Sequence, residues 1–193
     1  MKTTIPPPSP GRDLVQLQLP VKFGKRGVEI GIGSGIFDEK LDINFGIGPS
    51  EKMLNYAKQR NLSVEKGFAE NLPYPDCSFD FAVFVTSICF IDNPGKALAE
   101  AHRIIRNNGD LIVAFIDKDS SLGKSLELIK KESKFYEHAK FYSVNEMTSM
   151  IVNSHFETTE IIQTLIKRNS EIPENQVKWH GKGSFVVIKG KKK

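Results

Sequence analysis

The stretch Glu29-Ile30-Gly31-Ile32-Gly33-Ser34-Gly35 is where this sequence concentrates its chemistry. Alternate glycines follow a short apolar run, so the backbone can turn tightly and a ligand can reach its amides without meeting Cβ atoms. Other glycine-rich loops do not fit the spacing. A dinucleotide loop wants G-x-G-x-x-G, and counting from Gly31 puts Ile36 at the third glycine. A P-loop ends in Gly-Lys-Ser/Thr, which is absent. A nucleophile elbow needs glycine two residues before its serine, and Ile32 stands there before Ser34. What remains is E-x-G-x-G-x-G. Metal and thiol chemistry find less support. Cys77 and Cys89 lack the spacing of a zinc clip or redox pair, and Cys89, inside an apolar run, reads as a buried small hydrophobe. His102, His138, His155 and His180 are scattered, with no two at metal-ligand spacing on one helix, so no metal site is expected.

The elements around the glycine loop alternate strand with helix. Val28 to Ile32 is a short apolar strand, and Ile43 to Ile47 a second. Ser50 can cap a helix on which Met53, Leu54 and Ala57 share one face. Leu62 to Lys66 is a third strand, and Phe79 to Thr86 is almost continuously apolar, as a parallel strand covered on both faces should be. Asp92 or Asn93 then caps a helix with Pro94 in its first turn. Its apolar face is Ala97, Leu98, Ala101, Ile104 and Ile105, and Asn107-Asn108-Gly109 is expected to stop it before a buried strand over Leu111 to Ile116. Leu122, Leu126 and Ile129 outline a further helix. Ser143-Val144-Asn145-Glu146 has the form of a capping box opening another. Thr158 to Leu165 and Ser184 to Ile188 read as late strands. Alternating strands and helices imply an α/β fold, a parallel sheet wrapped on both sides with right-handed crossovers.

The 193 residues suit one domain, and 39% hydrophobic with 26% charged residues is ordinary for a soluble globular protein. Residues 1–20, with Ile5-Pro6-Pro7-Pro8-Ser9-Pro10, read as a Pro-rich extended or disordered arm, with a short helix near Leu14 to Leu19, ahead of a domain over 21–193. The net charge of +4 is modest, and the Lys189 to Lys193 tail reads as a solvated, frayed end. Neither a nucleic-acid nor a membrane partner is expected. With no secretory pattern and no bilayer-length apolar run, the expected location is the cytoplasm.

The E-x-G-x-G-x-G loop resembles motif I of the class I S-adenosylmethionine-dependent methyltransferases, and other segments follow in that family's order. Gly46-Ile47-Gly48-Pro49-Ser50-Glu51-Lys52-Met53-Leu54 looks like the end of the second strand and its helix. Gly67-Phe68-Ala69-Glu70-Asn71-Leu72-Pro73-Tyr74-Pro75-Asp76 resembles the loop after the third strand, Ser78-Phe79-Asp80 the start of the fourth, and Ala97 to Gly109 the helix before the fifth. Gly183 to Ile188 is similar to the family's last strand. The likeness covers residues 27–165 and is nearest to the broad type 11, ubiquinone-biosynthesis-like members. It implies a Rossmann-like three-layer sandwich with a mostly parallel seven-stranded sheet and an antiparallel last strand. It also implies S-adenosylmethionine as cofactor. Glu29 matches the acid that helps hold the methionine amino end, while Gly31, Ile32, Gly33 and Gly35 match the loop along the amino-acid and ribose portion. Gly48, Pro49 and Met53 match the turn after the second strand, Ala69 and Glu70 the adenine loop, and Thr86 and Ser87 the segment facing the transferable methyl group.

Two departures accompany the likeness. The second strand of the family usually ends in Asp or Glu, which takes the ribose hydroxyls; here Gly48 stands there, and neither Asp38 nor Asp42 is at the matching position. Phe68 replaces an acid that often meets the adenine amino group, and either stacks on adenine or belongs to the core. Second, relatives carry helices before motif I that close over the cofactor, whereas few residues precede Gly27 here. A second copy of the chain, or the proline arm, is a candidate to complete so open a site. The resemblance implies transfer of a methyl group to a small-molecule acceptor by in-line displacement. Thr86-Ser87-Ile88-Cys89 stands where base-amino methyltransferases carry Asn/Asp-Pro-Pro-aromatic, which speaks against RNA or protein as acceptor. No catalytic base is identified. Tyr136, His138, Phe141 and Tyr142 form an aromatic segment in the region that often contacts acceptors, and equally fit a surface helix packed on the core. The alternative is a non-catalytic methyltransferase-fold binding or assembly module, motivated by Gly48 and the short amino terminus.

Overall fold

The computed structural model describes residues 25–37, 41, 43–164, 177–178 and 183–193. The proline arm, the helix expected over 14–19, Asp38, Asp42 and His180 lie outside them. β1 (Gly27–Ile30), β2 (Phe45–Gly48), β3 (Ser63–Lys66), β4 (Phe79–Val85), β5 (Ile105–Ile116), β6 (Phe156–Thr164), β7 (Val177–Lys178) and β8 (Phe185–Lys192) form one sheet in the order β3-β2-β1-β4-β5-β8-β6-β7. The pairs from β3 to β5 are parallel, and β8 lies antiparallel between β5 and β6. This is the expected mixed sheet, with the two-residue β7 added antiparallel at the edge of β6.

β4 is apolar apart from Asp80, near its start, because both its faces are covered. Ala82 and Phe84 pack into one core, while Phe81, Val83 and Val85 pack into the other. The first core is completed by α2 (Pro94–Ile104) and α4 (Val144–Asn153), through Ala97, Leu98, Ala101, Met147 and Ile151. Both helices start where expected. The Asn93 side chain accepts from Lys96 N at 3.0 Å, with Pro94 at the first helical position. Ser143 and Glu146 close a reciprocal capping box, at 3.2 and 2.7 Å. α1 (Glu51–Lys58) seats Leu54 and Ala57 against Ile32 and Leu62. α3 (Ser121–Ile129) buries Leu126 beside Ala139 and Phe141.

Two expectations need correction. The helix ends at Ile104, and β5 begins immediately, at Ile105 rather than Leu111. Ile105 pairs with Phe79 and Asp110 with Phe81, so Asn107-Asn108-Gly109 lies within an irregular part of the strand, with Asn108 at φ 61°. The lysine-rich end is not frayed either: β8 continues through Lys192. Lys191 Nζ pairs with the buried Asp110 at 3.1 Å. Lys192, 7% exposed, donates to His102 O at 2.7 Å and Ile105 O at 2.8 Å, and so caps the last carbonyls of α2.

Candidate active site

The order of the strands reverses between β1 and β4, and in open α/β sheets ligands bind beyond the strand carboxyl ends at such a point. The glycine loop lies there. Gly31 N and Ile32 N both donate to Ile47 O, at 2.8 and 3.1 Å, tying the loop to β2. On its other side the Ser87 hydroxyl donates to Ile30 O at 2.7 Å. Gly31, Gly33 and Gly35 have φ of 83°, 54° and 68°, the left-handed region that side chains disfavour. A Cβ on Gly31 would overlap Ser87, and one on Gly35 would overlap Leu62.

A cavity of about 490 Å³ opens over this loop, within the roughly 300–1,000 Å³ typical of small-molecule sites. Its lining includes Glu29, Gly31, Ile32, Gly33, Gly48, Pro49, Met53, Ala69, Glu70, Thr86 and Ser87. Gly35 is the exception among the sequence candidates; packed on Leu62 and Ala57, it serves the turn and the α1 contact. Glu29 is 1% exposed, sitting in β1 between Gly46 and Val83 of the neighbouring strands. Phe68 is 67% exposed on the cavity wall, which removes it from the core. Ionisable side chains along the cavity are acidic: Glu29, Glu70 and Asp92, with no lysine or arginine among the described lining residues. Such a wall opposes a pyrophosphate and favours a ligand carrying positive charge.

The loop after β3 is held by a clamp that sequence reasoning missed. Arg103 on α2 donates to Leu72 O at 3.0 Å and Tyr74 O at 2.7 Å, and pairs with Asp76 and Glu100, each at 2.8 Å. Glu100 in turn accepts from Leu72 N at 2.8 Å. The Arg103 hydrogen bond chiefly, and the Leu72 amide with it, holds the Glu100 carboxyl below its ordinary range, while Arg103 is raised by Glu100 and Asp76. Glu70 Oε1 accepts from Asn93 N at 3.1 Å, fastening the same loop to the start of α2. An acid and an arginine three residues apart on a helix look like an ordinary surface pair; only the carbonyls they reach give them away.

A second cavity of about 220 Å³ shares Thr86, Phe90 and Phe135 with the first. Its other described walls are Ile88, Cys89, Phe115, Ile116, Tyr136, Phe141 and Tyr142. Of the aromatic segment noted in the sequence, Tyr136, Phe141 and Tyr142 line it, and the exposed His138 does not. Phe90 and Phe135 went unnoticed in the sequence because they stand apart in the chain and meet only in space, edge to face at 5.2 Å. Burial pushes the Cys89 thiol up to about 12 and raises Tyr136 and Tyr142 as well. Thr86, where the cavities meet, is β-branched yet has φ 53°, a strained backbone at the junction.

Comparison with known proteins agrees with this geometry. A methyltransferase domain model matches residues 28–113. The chain is 45% identical to an S-adenosylmethionine-dependent methyltransferase, possible histamine N-methyltransferase, of Thermotoga maritima. The two structures match with a TM-score of 0.90, over 95% of this chain and 88% of that one. It belongs to the S-adenosylmethionine-dependent methyltransferases. An uncharacterized protein of Methanocaldococcus jannaschii is 37% identical over 168 residues, which are 86% of this methyltransferase and 82% of that protein. The ubiquinone/menaquinone biosynthesis C-methyltransferase of Rickettsia akari is 32% identical over 130 residues, and this methyltransferase spans 46% of its length. S-adenosylmethionine, a sulfonium cation, is the cofactor, and the acidic lining of the larger cavity fits its charge. Among the described residues, no helix of the methyltransferase is long and apolar enough to cross a membrane, and no cluster of His, Cys, Asp and Glu could hold a metal ion.

Proposed function

We propose that this chain transfers the methyl group of S-adenosylmethionine to a small-molecule acceptor seated in the 220 Å³ cavity. The observation that carries the reading is that this cavity and the 490 Å³ cavity meet at Thr86, Phe90 and Phe135, so that contents of one can touch contents of the other. When bound, the cofactor supplies an activated methyl group: the carbon–sulfur bond breaks, its electron pair stays on sulfur, and the acceptor's lone pair forms the new bond. The protein's part is to hold and orient. Glu29 faces the methionine amino end, and Gly31, Ile32 and Gly33 run along the amino-acid and ribose portion. Pro49 and Met53 border the ribose side, and Ala69 offers its backbone to the adenine, with Phe68 as a stacking face. Ser87 holds the glycine loop through Ile30 O rather than touching the acceptor. Cys89, Tyr136 and Tyr142 stay protonated at neutral pH, so they can donate hydrogen bonds but are poor bases. An acceptor suited to these walls is a nucleophile whose lone pair needs no base from these three side chains.

The Thermotoga maritima relative, as a possible histamine N-methyltransferase, supports a small nitrogen nucleophile of this kind. The reading includes a cytoplasmic location and a homodimer covering the cavity mouth, where Phe68 and Met53 stand exposed. Calorimetry with S-adenosylmethionine and S-adenosylhomocysteine tests the enzyme reading. Binding with micromolar to submillimolar affinity is expected; no heat at millimolar ligand would leave the non-catalytic assembly module as the better account.

A further inference from the structure

The smaller cavity says something about the acceptor itself, on the premise that the reading above is right. Six of its described lining residues are aromatic: Phe90, Phe115, Phe135, Tyr136, Phe141 and Tyr142. These rings already pack on one another, Phe135 edge to face with Tyr136 at 4.9 Å and Tyr136 tilted on Phe141 at 5.6 Å. Such mutual packing makes a preformed apolar surface rather than one that collapses when empty. At about 220 Å³ the space exceeds the ~150 Å³ that suffices for benzene in an apolar cavity and is too small for a nucleotide-sized molecule.

No lining residue carries a formal charge: the polar groups are the Thr86 and Tyr136 hydroxyls, the Cys89 thiol and the Tyr142 phenol. Cys89 Sγ donates to Thr86 O at 3.4 Å. The Tyr142 hydroxyl is different. Tyr142 is 5% exposed, and its hydroxyl is buried without a hydrogen-bond partner among the described residues. Tyr142 lines the cavity, but its hydroxyl is closed off from any water-sized group, so what it offers an occupant is its aromatic face.

We infer that the smaller cavity binds an uncharged aromatic compound of one ring or two fused rings, held by its aromatic walls. Those walls supply contact area at little entropic cost. A charged ring compound would leave its charge unpaired in apolar surroundings, and an aliphatic one would forgo the ring contacts.

Indole, benzylammonium and benzoate are probes of similar size and different charge. Their binding, with and without saturating S-adenosylhomocysteine, is read by saturation-transfer NMR and calorimetry. Indole is expected to bind at least about tenfold more tightly than either ion. Tyr136→Leu, which removes a ring from the smaller cavity alone, should weaken indole by roughly fivefold and leave S-adenosylhomocysteine binding unchanged. Phe135→Ala, at an exposed wall, should weaken all ring probes and keep the fold. Preference for either ion, absence of indole binding at millimolar concentration, or an unchanged indole affinity in Tyr136→Leu overturns the inference. Loss of S-adenosylhomocysteine binding in the parent protein counts against the methyltransferase reading instead.

Discussion

Gly48 offers the sharpest test of how the cofactor lies. It ends β2, lines the larger cavity and has no left-handed backbone that would require glycine. A Cβ placed there would be 3.8 Å from Leu54 Cδ2 and 3.9 Å from Gly33 N, ordinary contacts. Gly48→Asp therefore installs a carboxylate without strain, where the family usually keeps one. Hydrogen bonds from the ribose hydroxyls to a charged acceptor are worth about 1.5–3 kcal/mol. Repulsion from Glu29, Glu70 and Asp92 around the same cavity offsets part of this. A net gain of about 1–2 kcal/mol is expected, roughly tenfold in affinity. Titration calorimetry with S-adenosylhomocysteine measures it, with Gly48→Ala as the control that adds a Cβ and no charge. Unchanged or weaker binding in a folded Gly48→Asp protein would refute the assignment of the ribose to the end of β2.

Other perturbations probe the frame. Gly31→Ala combines left-handed backbone strain of ~1–2 kcal/mol with overlap on Ser87, for a loss of about 2–4 kcal/mol in urea unfolding. Pairing it with Ser87→Gly should recover the packing part. Arg103→Met should cost about 2 kcal/mol and weaken S-adenosylhomocysteine binding by loosening the loop after β3. Because Glu100 is held below its ordinary 4.5, its contribution is complete above that pH and is lost as pH falls through the lower folded-state value. The gap in stability between parent and Arg103→Met should therefore narrow under acid; a constant gap down to pH ~3 would remove Glu100 from the account. Lys192→Met should destabilise by about 1–3 kcal/mol through the abandoned carbonyls of His102 and Ile105. Lys193→Met, at the exposed neighbour, should be nearly neutral.

What the sequence disclosed was whatever depends on neighbours in the chain. The glycine loop, the Asn93 cap, the Ser143–Glu146 box and the two-faced apolar run of β4 are local patterns, and each appears in the structure. What it concealed depends on partners far along the chain. Lys189, Lys191 and Lys192 look like a soluble tail until Asp110 and the end of α2 are seen across from them. Asn107-Asn108-Gly109 has the composition of a helix stop, yet pairing of Ile105 with Phe79 brings the strand forward to include it. Gly35 matches the motif and turns its back on the cavity, because Leu62 and Ala57 claim the space beside it. The aromatic junction of Phe90 with Phe135 has no local signal at all.

The position of β8 bears on how this chain can be made. β5 and β6 do not touch as sheet neighbours; β8 lies between them and bonds to both. During synthesis from the amino end, β1 to β5 can assemble in turn, but β6 has only the two-residue β7 to pair with among the described strands, and joins that sheet once Phe185–Lys192 has emerged. The last described strand then enters an interior position instead of extending an edge. Strand-by-strand growth of the sheet in chain order is thus closed to this topology, and β6 with its Phe156 and Ile162 depends on delivery of β8 to stay out of wrong pairings.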